Sequence, residues 1–214
     1  TYNPEETNPV YALNPFSMTW ENGKRYAILG PSGCGKTTML NIVSGLVRPS
    51  AGSILFDDKD VTDLKTESRN IAQVFQFPVI YNTMTVYENL AFPLKCRDFP
   101  KTKIDERVTS VADTLNLQSF LNAPARKLTA DQKQLISLGR GLVREDVAAV
   151  LMDEPLTVID PDLKFRLRRK LKEINEEFKT TLVYVTHDQN EAMTFADNII
   201  VMSEGEVVQA GTPK

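Results

Sequence analysis

The run Gly30-Pro31-Ser32-Gly33-Cys34-Gly35-Lys36-Thr37-Thr38 separates a short apolar stretch, Tyr26 to Leu29, from an apolar, helix-like one, Met39 to Val47. The order predicts a strand, a glycine-rich turn and a helix. Glycines at these positions let successive backbone N–H groups turn inward on a polyphosphate, and a helix that begins near Gly35 points its positive end at the same charge. Lys36 is then placed to reach the β- and γ-phosphates, and the Thr37 hydroxyl to ligate Mg²⁺. Gly30, Ser32, Gly33, Cys34, Gly35, Lys36, Thr37 and Thr38 are the candidate nucleotide-binding residues. Cys34, beside a helix N-terminus, is expected to react with thiol reagents; simple tolerance of a small residue is the alternative.

At 214 residues the chain can bury a real core as one domain, or as one domain carrying a subdomain. A net charge of −3 gives no reason to expect nucleic acid along a basic face. Cys34 and Cys96 are too few for a disulfide framework or a thiolate metal site, which fits a reducing compartment. His187 is the only histidine, so a histidine metal cluster is excluded. No apolar run approaches the ~20 residues needed to cross a bilayer, and no signal-peptide pattern opens the chain, so a soluble chain is expected. It begins at Thr1 rather than Met and stops at Lys214 just after a strand-like stretch, as a domain cut from a longer protein would.

Short apolar or β-branched runs recur at Tyr26 to Leu29, Ala72 to Phe75, Val150 to Met152, Leu182 to Val185 and Ile199 to Met202. Several are separated by helix-like stretches, which predicts an α/β fold with a largely parallel central sheet. Leu163, Leu167, Leu171, Ile174 and Phe178 fall at helical spacing, with Lys164, Arg168, Arg169 and Lys172 between them. They predict an amphipathic helix on the sheet with a solvated charged face. Between about Thr83 and Val143 strand signals give way to helical ones, including Ile104 to Leu115 and Leu135 to Val143. A helical subdomain, residues 83–144, is therefore expected within a core made of 1–82 and 145–214. The aromatic, proline-containing segment Phe77 to Asn82 would connect the two parts.

Val150-Leu151-Met152-Asp153-Glu154-Pro155 is an apolar strand ending in two acids. Asp153 suits the second shell of Mg²⁺, and Glu154 suits a base that orients or deprotonates an attacking water, a contribution worth about 10²–10⁴-fold. Leu182 to Val185 leads to Thr186 and His187. In a parallel sheet that strand end reaches the same edge as the glycine-rich loop, where an imidazole can hydrogen-bond a γ-phosphate and sense its loss. Gln76 closes another apolar run and can contact Mg²⁺ or the attacking water; a solvated strand end is the competing reading for this residue alone.

Together and in this order, these motifs resemble the ATP-binding-cassette family from about residue 2 to the end of the chain. Leu128-Thr129-Ala130-Asp131-Gln132 before Leu138 to Leu142 resembles the family's signature helix, Leu156 to Asp160 its dimer-contact loop, and Gln76 its Q-loop. The Gly-Pro-Ser-Gly-Cys-Gly-Lys loop and Gly205 to Thr212 resemble the ATPase subunits of bacterial carbohydrate importers. Arg69 to Pro93 with Leu128 to Arg144 most resembles an ATPase subunit of a glycerol importer. The resemblance implies a head-to-tail dimer with ATP between one subunit's glycine-rich loop and the other's signature helix. Hydrolysis would reset two integral membrane subunits from the cytoplasmic face of the membrane. It also implies an aromatic residue that stacks on adenine, Tyr2 or alternatively Tyr11.

The family signature usually reads Leu-Ser-Gly-Gly-Gln, and here Ala130 and Asp131 replace both glycines. Thr129 and Gln132 keep the capping-box spacing, so the helix start should survive. A carboxylate facing phosphate at ~5 Å is repelled by at most roughly 3 kcal/mol per unit charge at an effective dielectric near 20. Pairing with a different ATPase subunit is therefore expected, with two unequal composite sites. Two other readings compete. A cassette ATPase acting on nucleic acid or the ribosome calls for basic extensions, a coiled coil or a second cassette, and this sequence carries none. A regulatory module with little hydrolysis is favoured by the altered signature and opposed by the intact Glu154. Guanine recognition is not expected, since the sequence lacks an Asn-Lys-x-Asp run.

Overall fold

The computed structural model describes residues 11–213. Six strands form one sheet in the order β4-β5-β6-β1-β7-β8, with β1 Arg25–Leu29, β4 Ile71–Val74, β5 Ala149–Asp153, β6 Thr181–Thr186, β7 Asn198–Ser203 and β8 Glu206–Gly211. The first five in that order run parallel, and β8 returns antiparallel to β7. All five expected strands are present. A small hairpin, β2 Leu55–Phe56 and β3 Lys59–Asp60, stands apart. The helices are α1 Lys36–Ser44, α2 Val86–Lys95, α3 Lys101–Thr114, α4 Ala130–Leu142, α5 Pro161–Phe178 and α6 Gln189–Phe195.

The sheet is covered on both faces, and the alternation of its side chains shows it. Ala27, Val150, Met152, Leu182, Tyr184 and Ile199 enter a core shared with α2 to α6. Their neighbours Tyr26, Ile28, Leu151, Val183, Val185 and Ile200 enter a second core with Met39 and Leu40 of α1. A strand buried on both sides has no polar face to display, which is why these segments read as continuous apolar runs. From α5, Leu167 and Leu171 point into the first core, and Asn175 one turn further donates to the carbonyls of Gly23 and Thr180 (2.9 and 2.7 Å), fixing the helix end beside β1. No sheet strand lies between β4 and β5; α2, α3 and α4 fill that interval, and their apolar faces join the first core without a break.

Helix α1 stops at Ser44, short of the expected Val47. Gly45 closes it in a left-handed conformation, and the buried Arg69 guanidinium donates to the Ile42 and Val43 carbonyls at 2.7 and 2.9 Å. A cation there satisfies unpaired carbonyls and opposes the negative end of the helix dipole. Helix α4 starts at Ala130, where the capping-box spacing of Thr129 and Gln132 predicts it. Thr129 caps it by accepting from Gln132 N–H while the Gln132 side chain accepts from Thr129 N–H, so the capping box forms with Ala130 and Asp131 in place.

Candidate functional site

Parallel register brings four strand ends to one edge. Leu29 of β1 stands beside Thr186 of β6 and Val201 of β7, Asp153 of β5 beside Val185, and Val74 of β4 beside Met152. The residues that follow are Gly30, His187, Glu154 and Phe75-Gln76. The ligand-binding edge of an open α/β sheet is the one at its strands' carboxyl ends.

The glycine-rich loop is shaped by close approach. A Cβ on Gly30 would lie 2.3 Å from the Met202 carbonyl oxygen, and one on Gly35 would lie 2.5 Å from the Ala12 carbonyl oxygen. Gly35 also holds φ +101 at the N-cap of α1, which only glycine adopts readily. The Lys36 ammonium, buried in the loop, donates to the Gly30 and Pro31 carbonyls, both at 2.8 Å. Ser32 and Gly33 are exposed at the loop's outer rim, and Thr38 follows Thr37 in the first turn of α1. Cys34 is only 4% exposed, with its sulfur 3.8 Å from the Lys36 ammonium. Such burial limits a reagent's access to the thiol and favours the alternative, a small residue tolerated in the loop.

Thr37 Oγ1 donates to Asp153 Oδ2 at 2.8 Å. Burial pushes the Asp153 carboxyl above its ordinary range, helped by neighbouring Glu154 and opposed by the Thr37 bond and the Lys36 charge. A buried carboxylate held at such a cost beside a hydroxyl is a pair of hard oxygen donors suited to Mg²⁺. Among the described residues no group of three or more His, Cys, Asp or Glu side chains forms a closed metal cage. Mg²⁺ takes most of its ligands from water and phosphate when only one or two protein oxygens are offered.

Glu154 turns away from Asp153. Its φ of +44 breaks the strand's alternation, while its N–H still donates to the Val185 carbonyl at 3.0 Å. The Oε2 atom gathers three groups: Gln76 Nε2 at 3.4 Å, Thr157 Oγ1 at 3.3 Å and His187 Nδ1 at 3.2 Å. The His187 side chain is 58% exposed, so one side of it stays open to a ligand. Thr157, which the sequence places only in a segment resembling the dimer-contact loop, also sets its hydroxyl beside the Glu154 carboxylate, and no local pattern announces that contact.

Thr129, Ala130 and Asp131 lie at the start of α4, half-buried or exposed, and no described contact joins them to the glycine-rich loop of the same chain. Tyr11 is 48% exposed and immediately precedes Ala12, whose carbonyl closes over Gly35. Tyr2 lies outside the described residues. Among those residues no helix is long and apolar enough to cross a membrane.

A family model described as ABC transporter matches residues 13–157. The chain is 45% identical over 210 residues to the trehalose/maltose import ATP-binding protein MalK of Thermococcus litoralis, covering 95% of this chain and 56% of that protein. It is 43% identical over 204 residues to the sn-glycerol-3-phosphate import ATP-binding protein UgpC 3 of Agrobacterium fabrum, covering 95% and 58%. It thus spans somewhat more than half the length of these curated relatives. Among solved structures, it superposes on a dimeric bacterial ABC transporter cassette with TM-score 0.87 at 28% identity, covering 100% of this chain and 95% of that one. A post-hydrolysis cassette dimer bound to ADP and Pi gives 0.85 at 28%, covering 98% and 94%. CbiO1 of Clostridium perfringens, part of the ABC transporter complex cbiONQ, gives 0.84 at 30%, covering 95% and 82%.

Proposed function

The chain belongs to the ABC transporter family, and we propose that it is the ATP-hydrolysing part of an importer, energising uptake of a carbohydrate or polyol solute through partner membrane subunits. One observation carries the reading: the Thr37–Asp153 pair and the Glu154 carboxylate, with Gln76 and His187 beside it, meet at the strand edge that holds the glycine-rich loop. Phosphate oxygens would take the loop's N–H groups and the Lys36 ammonium, which exchanges its carbonyl partners for them. Thr37, Asp153 and Gln76 would hold Mg²⁺. Bound there, Mg²⁺ neutralises charge on the phosphate oxygens. Glu154 orients the attacking water and accepts its proton, and His187 contacts the γ-phosphate.

Tyr11 or Tyr2 supplies the adenine stack. Segment 83–144 acts as a helical subdomain on the core of 1–82 and 145–214, and presents Thr129, Asp131 and Gln132 to the nucleotide of a second ATPase subunit. Because Ala130 and Asp131 crowd that surface with side chains and a charge, the partner is a different ATPase subunit, in a head-to-tail pair on the cytoplasmic face of the membrane. The likeness to cassette dimers supports the pairing. Phe77 and Val79, 72% and 50% exposed on the connection before α2, are the apolar surface offered to the membrane subunits. Sugar and glycerol-phosphate import by the relatives supports the solute class.

The test is purification of the tagged full-length protein from its native membranes in mild detergent, with its companions identified by mass spectrometry and ATP turnover measured. Two membrane subunits, a second ATPase and turnover that Glu154→Gln reduces at least a hundredfold are expected. Recovery without membrane proteins, or with ribosomes or nucleic acid, overturns the transport reading. Turnover insensitive to Glu154→Gln overturns the catalytic one.

A further inference from the structure

Gln134 of α4 is completely buried, and its Nε2 donates to two backbone carbonyls, Pro155 at 2.8 Å and Phe75 at 3.3 Å. A primary amide has two N–H groups, and here both are used on acceptors. Facing two carbonyl oxygens, the amide has only one acceptable orientation, since a flip would set oxygen against oxygen. In that orientation Oε1 is buried and finds no partner among the described residues. An unpaired buried acceptor is costly, so a side chain that bears one is held by what its other atoms do.

Those two carbonyls lie next to the site. Phe75 precedes Gln76, and Pro155 follows Glu154. The side chains of Gln76 and Glu154 meet at 3.4 Å. One amide therefore joins the exits of β4 and β5 to the helix whose first turn carries Thr129 to Gln132. The same face of α4 holds the connection beyond Gln76 as well. Ser137 Oγ accepts from Val79 N–H at 3.3 Å, and Arg140 donates to the Val79 carbonyl while its guanidinium lies 4.6 Å from the Tyr81 ring centre. Gln134, Ser137 and Arg140 recur at i, i+3 and i+6, so any rotation or shift of α4 is felt along the whole segment from Phe75 to Tyr81.

We propose that Gln134 is a positioning residue for hydrolysis, setting Gln76 and Glu154 relative to one another and linking their placement to the position of α4. The inference rests on the hydrolytic reading of Glu154 given above. No described hydrogen bond joins Gln134 to the glycine-rich loop or Lys36, so its loss should act on turnover far more than on nucleotide binding. Misplacing a reacting group by about 1 Å costs up to about a hundredfold.

The test uses the full-length protein purified with its companions, as wild type and as Glu154→Gln, Gln134→Met, Gln134→Glu, Gln76→Ala and the Gln134→Met/Gln76→Ala double variant. Steady-state ATP turnover and affinity for a fluorescent ATP analogue are measured for each. Gln134→Met keeps the length without polar atoms, and Gln134→Glu keeps the shape with at most one donor, the O–H of its protonated carboxyl, where the amide uses two. Both are expected to lower kcat about ten- to a hundredfold, with KM and analogue affinity within twofold of wild type. In the Gln76→Ala background the further loss caused by Gln134→Met should shrink to less than threefold. Unchanged kcat in Gln134→Met, full additivity with Gln76→Ala, or a loss of kcat matched by loss of binding sites overturns the proposal. Absence of turnover in the wild type, or indifference to Glu154→Gln, overturns instead the reading on which it rests.

Discussion

Gly30→Ala is the substitution whose consequence the geometry defines most narrowly. The added Cβ would lie 2.3 Å from the Met202 carbonyl oxygen and 2.7 Å from the Cys34 sulfur. Carbon and carbonyl oxygen ordinarily stop at about 3.3–3.6 Å, so the first overlap is about 1 Å. Met202 belongs to β7, whose neighbour Val201 pairs with Leu29 just before the loop, and its carbonyl cannot rotate away as a side chain would. The loop must therefore move. Overpacking of this kind costs about 1–3 kcal/mol, which lowers Tm by about 2–12 °C for a domain of this size. A 1 Å retreat also draws N–H groups off the phosphates, and losing one bond to a charged partner costs about 1.5–3 kcal/mol, or about 10- to 100-fold in Kd. Adding Cys34→Ala removes the sulfur but not the carbonyl, so rescue should be small. Gly211→Ala is the control, because nothing lies within 4 Å of its Cβ and the change should stay within about 0.5 kcal/mol. Thermal unfolding and nucleotide titration read the three variants against wild type. Wild-type Tm and Kd for Gly30→Ala, or full rescue by Cys34→Ala, would refute the reasoning.

Asp153→Asn should raise thermal stability at pH 7 in the absence of Mg²⁺ and nucleotide. Burial lifts the folded pKa above the unfolded value, so this group's stabilising contribution is present below the unfolded pKa near ~3.9 and is lost as pH rises through the folded one. The advantage of the variant should therefore shrink on acidification, while the added stability conferred by Mg²⁺ and ATP disappears; a variant that melts below wild type at pH 7 contradicts this. For Asp131→Gly in the reconstituted complex, ATP turnover should rise or stay level, since a charge of up to roughly 3 kcal/mol repulsion is removed. A collapse of turnover would give Asp131 a positive role.

The strands and the glycine-rich loop were legible because each carries its signal locally. Burial on both faces writes an apolar run, and a phosphate-binding turn needs its glycines and lysine within a few residues. Elements whose reason lies elsewhere in the chain were not. The β2–β3 hairpin has only two residues per strand, too short to show a periodicity. Helix α6 is seven residues long, yet Asp188 caps it by accepting from Asn190 and Glu191 N–H, and Asp-x-x-Glu at 188–191 is a start signal that could have been used. Arg69 stops a helix that ends 25 positions earlier, and Gln134 bonds a carbonyl 59 residues away, so nothing in their neighbourhoods reveals either task.

The two adjacent acids show why an arrangement so easily read from sequence still depends on one unusual backbone angle. Successive side chains on a strand point to opposite faces, so an extended Asp153-Glu154 pair would send one carboxylate to each side of the sheet. The left-handed φ of +44 at Glu154 changes that, ending the strand while its N–H keeps the last rung to Val185. Such a conformation in a residue other than glycine costs of order 1 kcal/mol and persists only where surrounding contacts enforce it. Here those contacts are Gln76, Thr157 and His187 on one oxygen, with Gln134 holding the next carbonyl. The result is a division of labour between neighbours: Asp153 stays inside with the Thr37 hydroxyl, and the largely buried Glu154 carboxylate lies beside an exposed imidazole. The φ of +44 at Glu154 interrupts that alternation, and the two carboxylates keep separate partners at one strand end, Thr37 for Asp153 and Gln76, Thr157 and His187 for Glu154.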